Sequence, residues 1–223
     1  MLPAPQPLVF ADRSSAGRQL GRALQRAAPA SPVNVLGLPR GGVPVAFEVA
    51  RALHAPLDVL VVRKIGSPSQ PEFALGAIAS PEVVVRDEAV GGWDANPRNF
   101  ERLVQRERAE LERRERLYRH GSPALDLRGR TALIVDDGLA TGWTMLAAVR
   151  AARQAGAATV ICAAPVASEE AAARIASEAD RTVFLSIPTM LSSVGEWYEE
   201  FAQVEDAEVL ELLRKAPPAD DRQ

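Results

Sequence analysis

Apolar and polar positions follow two rhythms along this chain, and the changes between them mark most of its elements. From Asp12 to about Ala28, Ala16, Leu20, Ala23, Leu24 and Ala27 recur at helical spacing, behind an aspartate able to cap the first turn. Pro29 and Pro32 stop that pattern. Val33 to Leu38 is an apolar run of strand length, Val43 to His54 is helical again, and Leu57 to Val62 is a second strand closed by Arg63-Lys64. Strand, helix and strand within about 30 residues predict a right-handed parallel unit. Phe73 to Ala79 and Val83 to Arg86 flank Ser80-Pro81 and predict a hairpin, with loops at Gly66 to Pro71 and Gly91 to Pro97.

Phe100 to about Arg119 is a charged helix in which Glu110/Arg114, Glu112/Arg116 and Glu115/Arg119 stand in the favourable i,i+4 order. Its interleaved glutamates favour a solvated or subunit-packing face over an RNA-binding one. The unbroken run Ala132-Leu133-Ile134-Val135 predicts a strand buried on both faces, and the alanine-rich stretch Met145 to Ala155 a helix. Thr159 to Val166 and Thr182 to Ile187 are further strands, with Ser168 capping a helix between them. Ser193 and Glu196 have capping-box spacing ahead of Trp197, Tyr198 and Phe201, and Asp206 to Lys215 reads as the last helix.

Alternating strands and helices over 223 residues, with no repeat and no interdomain linker, predict one α/β domain spanning 1–223. A net charge of −3 gives no electrostatic case for nucleic acid or an anionic membrane as partner. Cys162, the single cysteine, lies in an apolar run and is expected in the core. His54 and His120 have no metal-ligand spacing, so no metal site built from protein side chains is expected. No apolar stretch has membrane-spanning length and no signal-peptide pattern opens the chain, so a cytoplasmic enzyme is the expectation.

The chemistry collects at two strand ends. Asp136 and Asp137 follow the apolar run at once, and the next loop is small and polar at Gly138, Ala140, Thr141, Gly142 and Thr144. A strand, a tight loop and a helix N-terminus converge backbone N–H groups on an anion. Gly138 and Gly142 permit positive φ and close approach, and Thr141 and Thr144 add hydroxyl donors. Two carboxylates at the lip of an anion cradle suit a ligand with a phosphate at one end and vicinal hydroxyls nearby, such as a ribose 5-phosphate. The alternative is an ordinary turn that happens to hold two aspartates. Pro39-Arg40-Gly41-Gly42, at another strand end, offers glycine N–H groups and a cation to a second anion, or is a plain glycine-rich turn. Neither a P-loop nor a dinucleotide fingerprint is present.

Val135-Asp136-Asp137-Gly138-Leu139-Ala140-Thr141-Gly142-Trp143-Thr144 resembles the phosphoribosyl pyrophosphate (PRPP) motif of the type I phosphoribosyltransferases, with Trp143 where a small residue is usual. The resemblance covers about Val33 to Pro188 and extends to a bacterial group of such proteins whose acceptor is not defined. It implies a doubly wound parallel α/β sheet with a small hood from the terminal segments, and a homodimer. It implies transfer of phosphoribosyl from PRPP with Mg²⁺, bound mainly through PRPP, to a nitrogen acceptor such as a nucleobase, with release of pyrophosphate. Asp136 and Asp137 would hold the ribose hydroxyls and Gly138 to Thr144 the 5′-phosphate. Arg40, Gly41 and Gly42 would hold the pyrophosphate, with a cis peptide at Pro39–Arg40.

The resemblance further sets Arg63 at the ligand and Lys64 as the cation that neutralises the departing pyrophosphate. Gly66 to Gly92 would be the family's mobile lid. Glu72 is the candidate base, with Glu82 and Glu88 also in that segment and none of the three in a recognisable motif. One of Trp197, Tyr198 and Phe201 could stack on the acceptor, or all three could pack in the core or hood. The competing reading is a PRPP-binding regulator without transferase activity.

Overall fold

The run Ala132–Val135 is unbroken because its two faces are both covered. Leu133 and Val135 pack with Leu20, Leu24, Val45 and Val49 on one side, and Ala132 and Ile134 with Met145, Ala148 and Val149 on the other. The computed structural model describes residues 9–27, 29, 32–70, 73–80, 82–88, 96–120 and 125–216. In chain order the elements are α1 (Arg13–Ala27), β1 (Val33–Gly37), α2 (Gly42–Leu53), β2 (Leu57–Val59), β3 (Val62–Gly66), β4 (Ala74–Ala79), β5 (Val83–Arg86) and α3 (Pro97–Tyr118). After these come β6 (Thr131–Val135), α4 (Trp143–Gln154), β7 (Thr159–Val166), α5 (Glu169–Ala176), β8 (Arg181–Ser186) and α6 (Asp206–Lys215).

Five strands form an all-parallel sheet in the order β2-β1-β6-β7-β8. α1 and α2 cover one face, and α4 and α5 the other, so the expected doubly wound α/β architecture is present. The chain order reverses between β1 and β6, which places the loops that follow these two strands on either side of one crevice. Asp12 caps α1 as expected, accepting the Ser15 N–H at 2.6 Å. Cys162 is fully buried, and burial pushes its thiol up, as suits a core residue. No helix among the described residues is long and apolar enough to cross a membrane.

The stretch Leu57 to Val62 is not one strand. It breaks after Val59, and β3 joins a separate antiparallel sheet, β3-β4-β5, held between α4 and α3. Leu60 and Val61 at the break are as buried as their neighbours, so no polar residue marks it. The predicted hairpin is there as β4 and β5, but it is core rather than lid: all six residues of β4 are buried. A strand in that position cannot lift away without opening two hydrophobic clusters, so any mobile part of Gly66 to Gly92 excludes β4. On α3, Glu110–Arg114 and Glu112–Arg116 form as read, whereas Arg119 turns to Asp58 at 3.0 Å instead of Glu115. Ser193 makes no side-chain cap, and Val194–Trp197 is a single 3₁₀ turn.

Candidate active site

Asp136 and Asp137 leave the C-terminal end of β6 beside the loop that follows β1. That loop folds back through Gly42 N–H donating to the Leu38 carbonyl at 3.0 Å. The approach is so close that a Cβ on Gly41 would lie 2.1 Å from Asp137 Oδ2, and one on Gly42 would lie 2.9 Å from Asp136 Oδ1. The two glycines therefore serve contact between loops. Gly42 N–H is used in closing the turn and is not offered to a ligand, contrary to the sequence expectation. The Pro39–Arg40 peptide is cis, as the resemblance implied.

The two carboxylates differ in their company. Asp136 Oδ1 accepts the Asp137 N–H at 2.9 Å. Burial first, then the neighbouring Asp137 charge, holds Asp136 well above the usual carboxylate range. Asp137 is also raised by burial, but the Arg13 guanidinium counteracts it. Arg13 Nε donates to Asp137 Oδ2 at 2.8 Å, and the Tyr198 hydroxyl donates to the Asp137 carbonyl at 2.6 Å. Sequence reasoning missed both contacts with Asp137. Arg13 is 124 positions away, and nothing local signals the pairing.

The loop from Gly138 to Gly142 is held from its far side. Leu139 is core: its side chain is buried, its N–H donates to the Val166 carbonyl at 3.0 Å, and its carbonyl accepts from Ser168 N–H at 2.9 Å. Leu139 N–H is thus removed from the expected phosphate donors. The Ala140 carbonyl accepts from Ser168 Oγ at 2.7 Å, and the Thr141 carbonyl from Arg174. Because the carbonyl and N–H of a trans peptide point oppositely, the N–H groups of Thr141 and Gly142 face away from α5. Gly142 adopts φ +78° and starts α4, whose first turn leaves N–H groups without helical partners, Trp143 and Thr144 among them. Gly138 has no positive φ; a Cβ there would meet Val194 at 2.4 Å. Trp143 departs from the small residue usual at its position because its ring packs on the α4-side core beneath Arg174, 4.0 Å from the guanidinium. The contacts that Ser168 and Arg174 make to this loop were not legible in the sequence.

The expected cations are distributed differently. Arg40 points to the start of α6, 3.7 Å from Glu205 and 3.8 Å from Asp206. Arg63 lies within β3 and reaches across to Glu107 of α3 at 2.7 Å, so a PRPP contact would have to displace that ion pair. Strand alternation puts Lys64 on the opposite face, the one through which Val62 joins the cluster containing Leu38, Leu139 and Met145. Glu72 lies outside the described residues. Glu82 and Glu88 are exposed, and Glu82 is 3.6 Å from Arg108. Tyr198 and Phe201 stack on each other at 4.9 Å, with Arg13 3.8 Å above the Phe201 ring, which makes them hood packing rather than an open stacking surface.

The Pro39–Gly42 loop, the Gly138–Gly142 loop and the acidic pair thus meet at one crevice. The family described as phosphoribosyl transferase domain matches residues 15–207. The chain belongs to that family. It is 46% identical over 209 residues to a Mycobacterium tuberculosis protein, found in strains CDC 1551 and H37Rv and provisionally named a phosphoribosyl transferase. The match covers 93% of this chain and 47% of that protein, so the chain spans about half the length of these relatives. The crystal structure of TT1426 from Thermus thermophilus superposes with a TM-score of 0.77 at 41% identity, over 94% of this chain and 100% of that one.

Proposed function

We propose that the chain binds PRPP with Mg²⁺ and transfers its phosphoribosyl group to a nitrogen acceptor, a nucleobase, releasing pyrophosphate. The observation that supports this reading is the packing of the Pro39–Gly42 loop onto Asp136 and Asp137, so close that neither Gly41 nor Gly42 has room for a Cβ. In this reading Asp136 and Asp137 accept from the ribose hydroxyls. The N–H groups of Thr141, Gly142, Trp143 and Thr144, with the hydroxyls of Thr141 and Thr144, take the 5′-phosphate. The pyrophosphate meets the N–H groups of Arg40 and Gly41, while Arg40's side chain has carboxylate competitors in Glu205 and Asp206.

Mg²⁺ fits as a companion of the ligand. The two aspartates are hard oxygen donors, but Asp137 Oδ2 is committed to Arg13, which leaves too few to hold the ion unaided. When bound, the ion would neutralise diphosphate charge. Lys64 would stabilise the charge that builds as the C–O bond to pyrophosphate breaks. The reading also carries the homodimer that the resemblance implies and the cytoplasmic setting expected from the sequence.

Release of pyrophosphate from PRPP plus Mg²⁺ against a panel of nucleobases tests the reaction. Asp137→Asn should weaken PRPP about ten- to a hundredfold by calorimetry with the fold intact, as loss of a charged hydrogen bond requires. Unchanged affinity removes Asp137 from the site. PRPP binding with no pyrophosphate released by any base would favour the regulator.

A further inference from the structure

Asp137 receives from another part of the chain a counter-charge that its own motif lacks. Arg13 stands in the first turn of α1, and the paired side chains are only 12% and 15% exposed. The guanidinium is itself anchored. One terminal nitrogen donates to the Ala202 carbonyl at 2.7 Å, and its face lies 3.8 Å over the Phe201 ring. The segments that carry these groups are tied together, since Phe10 N–H donates to the Trp197 carbonyl at 2.9 Å and Glu199 N–H to the Phe10 carbonyl at 2.8 Å. Asp137 Oδ2 is therefore fixed between Arg13 and Gly41, and Oδ1 is the oxygen that Arg13 does not hold.

We propose that Arg13 is a positioning residue of the ribose site: it fixes one carboxylate oxygen of Asp137 and supplies the counter-charge that lets the other accept a hydrogen bond from the ligand. This rests on the reading that Asp137 binds the ribose. Among the described residues, Asp136 stands beside Asp137 and Tyr198 reaches it from the C-terminal segment, while Arg40 precedes Gly41 in the facing loop. Arg40 turns its charge to Glu205 and Asp206, and burial keeps the Tyr198 hydroxyl protonated. Against the upward push of burial on Asp137, the charge and hydrogen bond of Arg13 are the largest effects in the other direction. Without Arg13 the aspartate pair would keep a proton to higher pH, and a protonated carboxyl offers a donor where the ribose hydroxyl needs an acceptor. The defect should therefore be greatest at low pH and fade as pH rises.

The test compares Arg13→Gln and Arg13→Lys with the unaltered protein at each pH. PRPP–Mg²⁺ affinity is measured by calorimetry, and the Asp137 carboxyl is titrated by ¹³C NMR without ligand. Arg13→Gln should bind about tenfold more weakly near pH ~6 and within about twofold near pH ~8.5, with the Asp137 midpoint moved up. Arg13→Lys, which keeps the charge but not the fork, should show a smaller shift in the same direction, and serves if the Gln variant does not fold. A loss equal at both pH values, or an Asp137 midpoint unmoved in the variants, overturns the proposal. If the unaltered protein binds no PRPP at any pH, the PRPP reading fails, and the carboxyl titration alone decides the role of Arg13.

Discussion

Gly41 and Gly76 both stand where a side chain would collide, and they differ in what it would meet. A Cβ on Gly41 would lie 2.1 Å from Asp137 Oδ2, the end of a side chain. A Cβ on Gly76 would lie 2.0 Å from the Val85 carbonyl oxygen, in the backbone of the neighbouring strand. At the crevice, closeness brings the Asp137 carboxylate against a loop. In the second sheet it pairs two strands between α3 and α4. The first contact can give way by turning a carboxylate; the second can give way only by separating strands. Both sites are tight, but one is tight against a side chain at the crevice and the other against the backbone of a neighbouring strand.

The sharpest test of that contrast is the pair Gly76→Ala and Gly41→Ala. Gly76→Ala should destabilise by about 3 kcal/mol or more, an overpacking cost against backbone, and lower the melting midpoint by about 6–12 °C. Gly41→Ala should fold nearly as well but bind PRPP about a hundredfold more weakly, because the carboxylate must leave its place. Equal losses of stability in both would erase the distinction.

Arg63 and Lys64 carry the same contrast within one strand. Lys64→Gln should lower turnover on the order of tenfold with the melt unchanged, whereas Arg63→Gln should cost about 1 kcal/mol of stability through Glu107 and leave turnover alone. Activity assays and melts of the two variants decide it, and the reverse pattern would exchange their roles.

The smallest effect is expected at Asp136. Its folded carboxyl is raised above its unfolded value, so its contribution to stability is full at low pH and is lost as pH rises through the folded value. Asp136→Asn keeps an oxygen for the Asp137 N–H and sheds that loss. The ligand-free variant should thus melt slightly higher than the unaltered protein at neutral pH, the gain shrinking as pH falls through and below the ordinary carboxylate range. A gain that persists at low pH would point to a cause other than ionisation.

What the sequence made legible was local. The apolar run into Asp136, the glycine that starts α4, and Ser168 at the cap of α5 are each settled by residues a few positions apart. Misreadings came where distant partners decide. Leu57 to Val62 reads as one strand because the exchange of sheets happens inside an apolar stretch, with both sides of the break buried. Arg63-Lys64 reads as a pair at a strand end, yet strand alternation sends the two side chains to opposite faces. Gly138 reads as a turn glycine, and its reason is a valine from the hood. Arg13 looks like an ordinary first-turn arginine until the chain returns to meet it.

That return has a consequence for the order in which the protein is made. β1, α2 and the central strands can pack as they leave the ribosome, because each finds its neighbour within the sequence already synthesised. The anchor of Arg13 is the Ala202 carbonyl, 189 positions later. The strand-like contact of Phe10 with Tyr198 waits equally long. A nascent chain halted after β8 therefore has both crevice loops and Arg13, but neither Tyr198 to hold the Asp137 carbonyl nor Ala202 to anchor Arg13. Completion of the crevice waits for the segment around Ala202, long after both of its loops have been made.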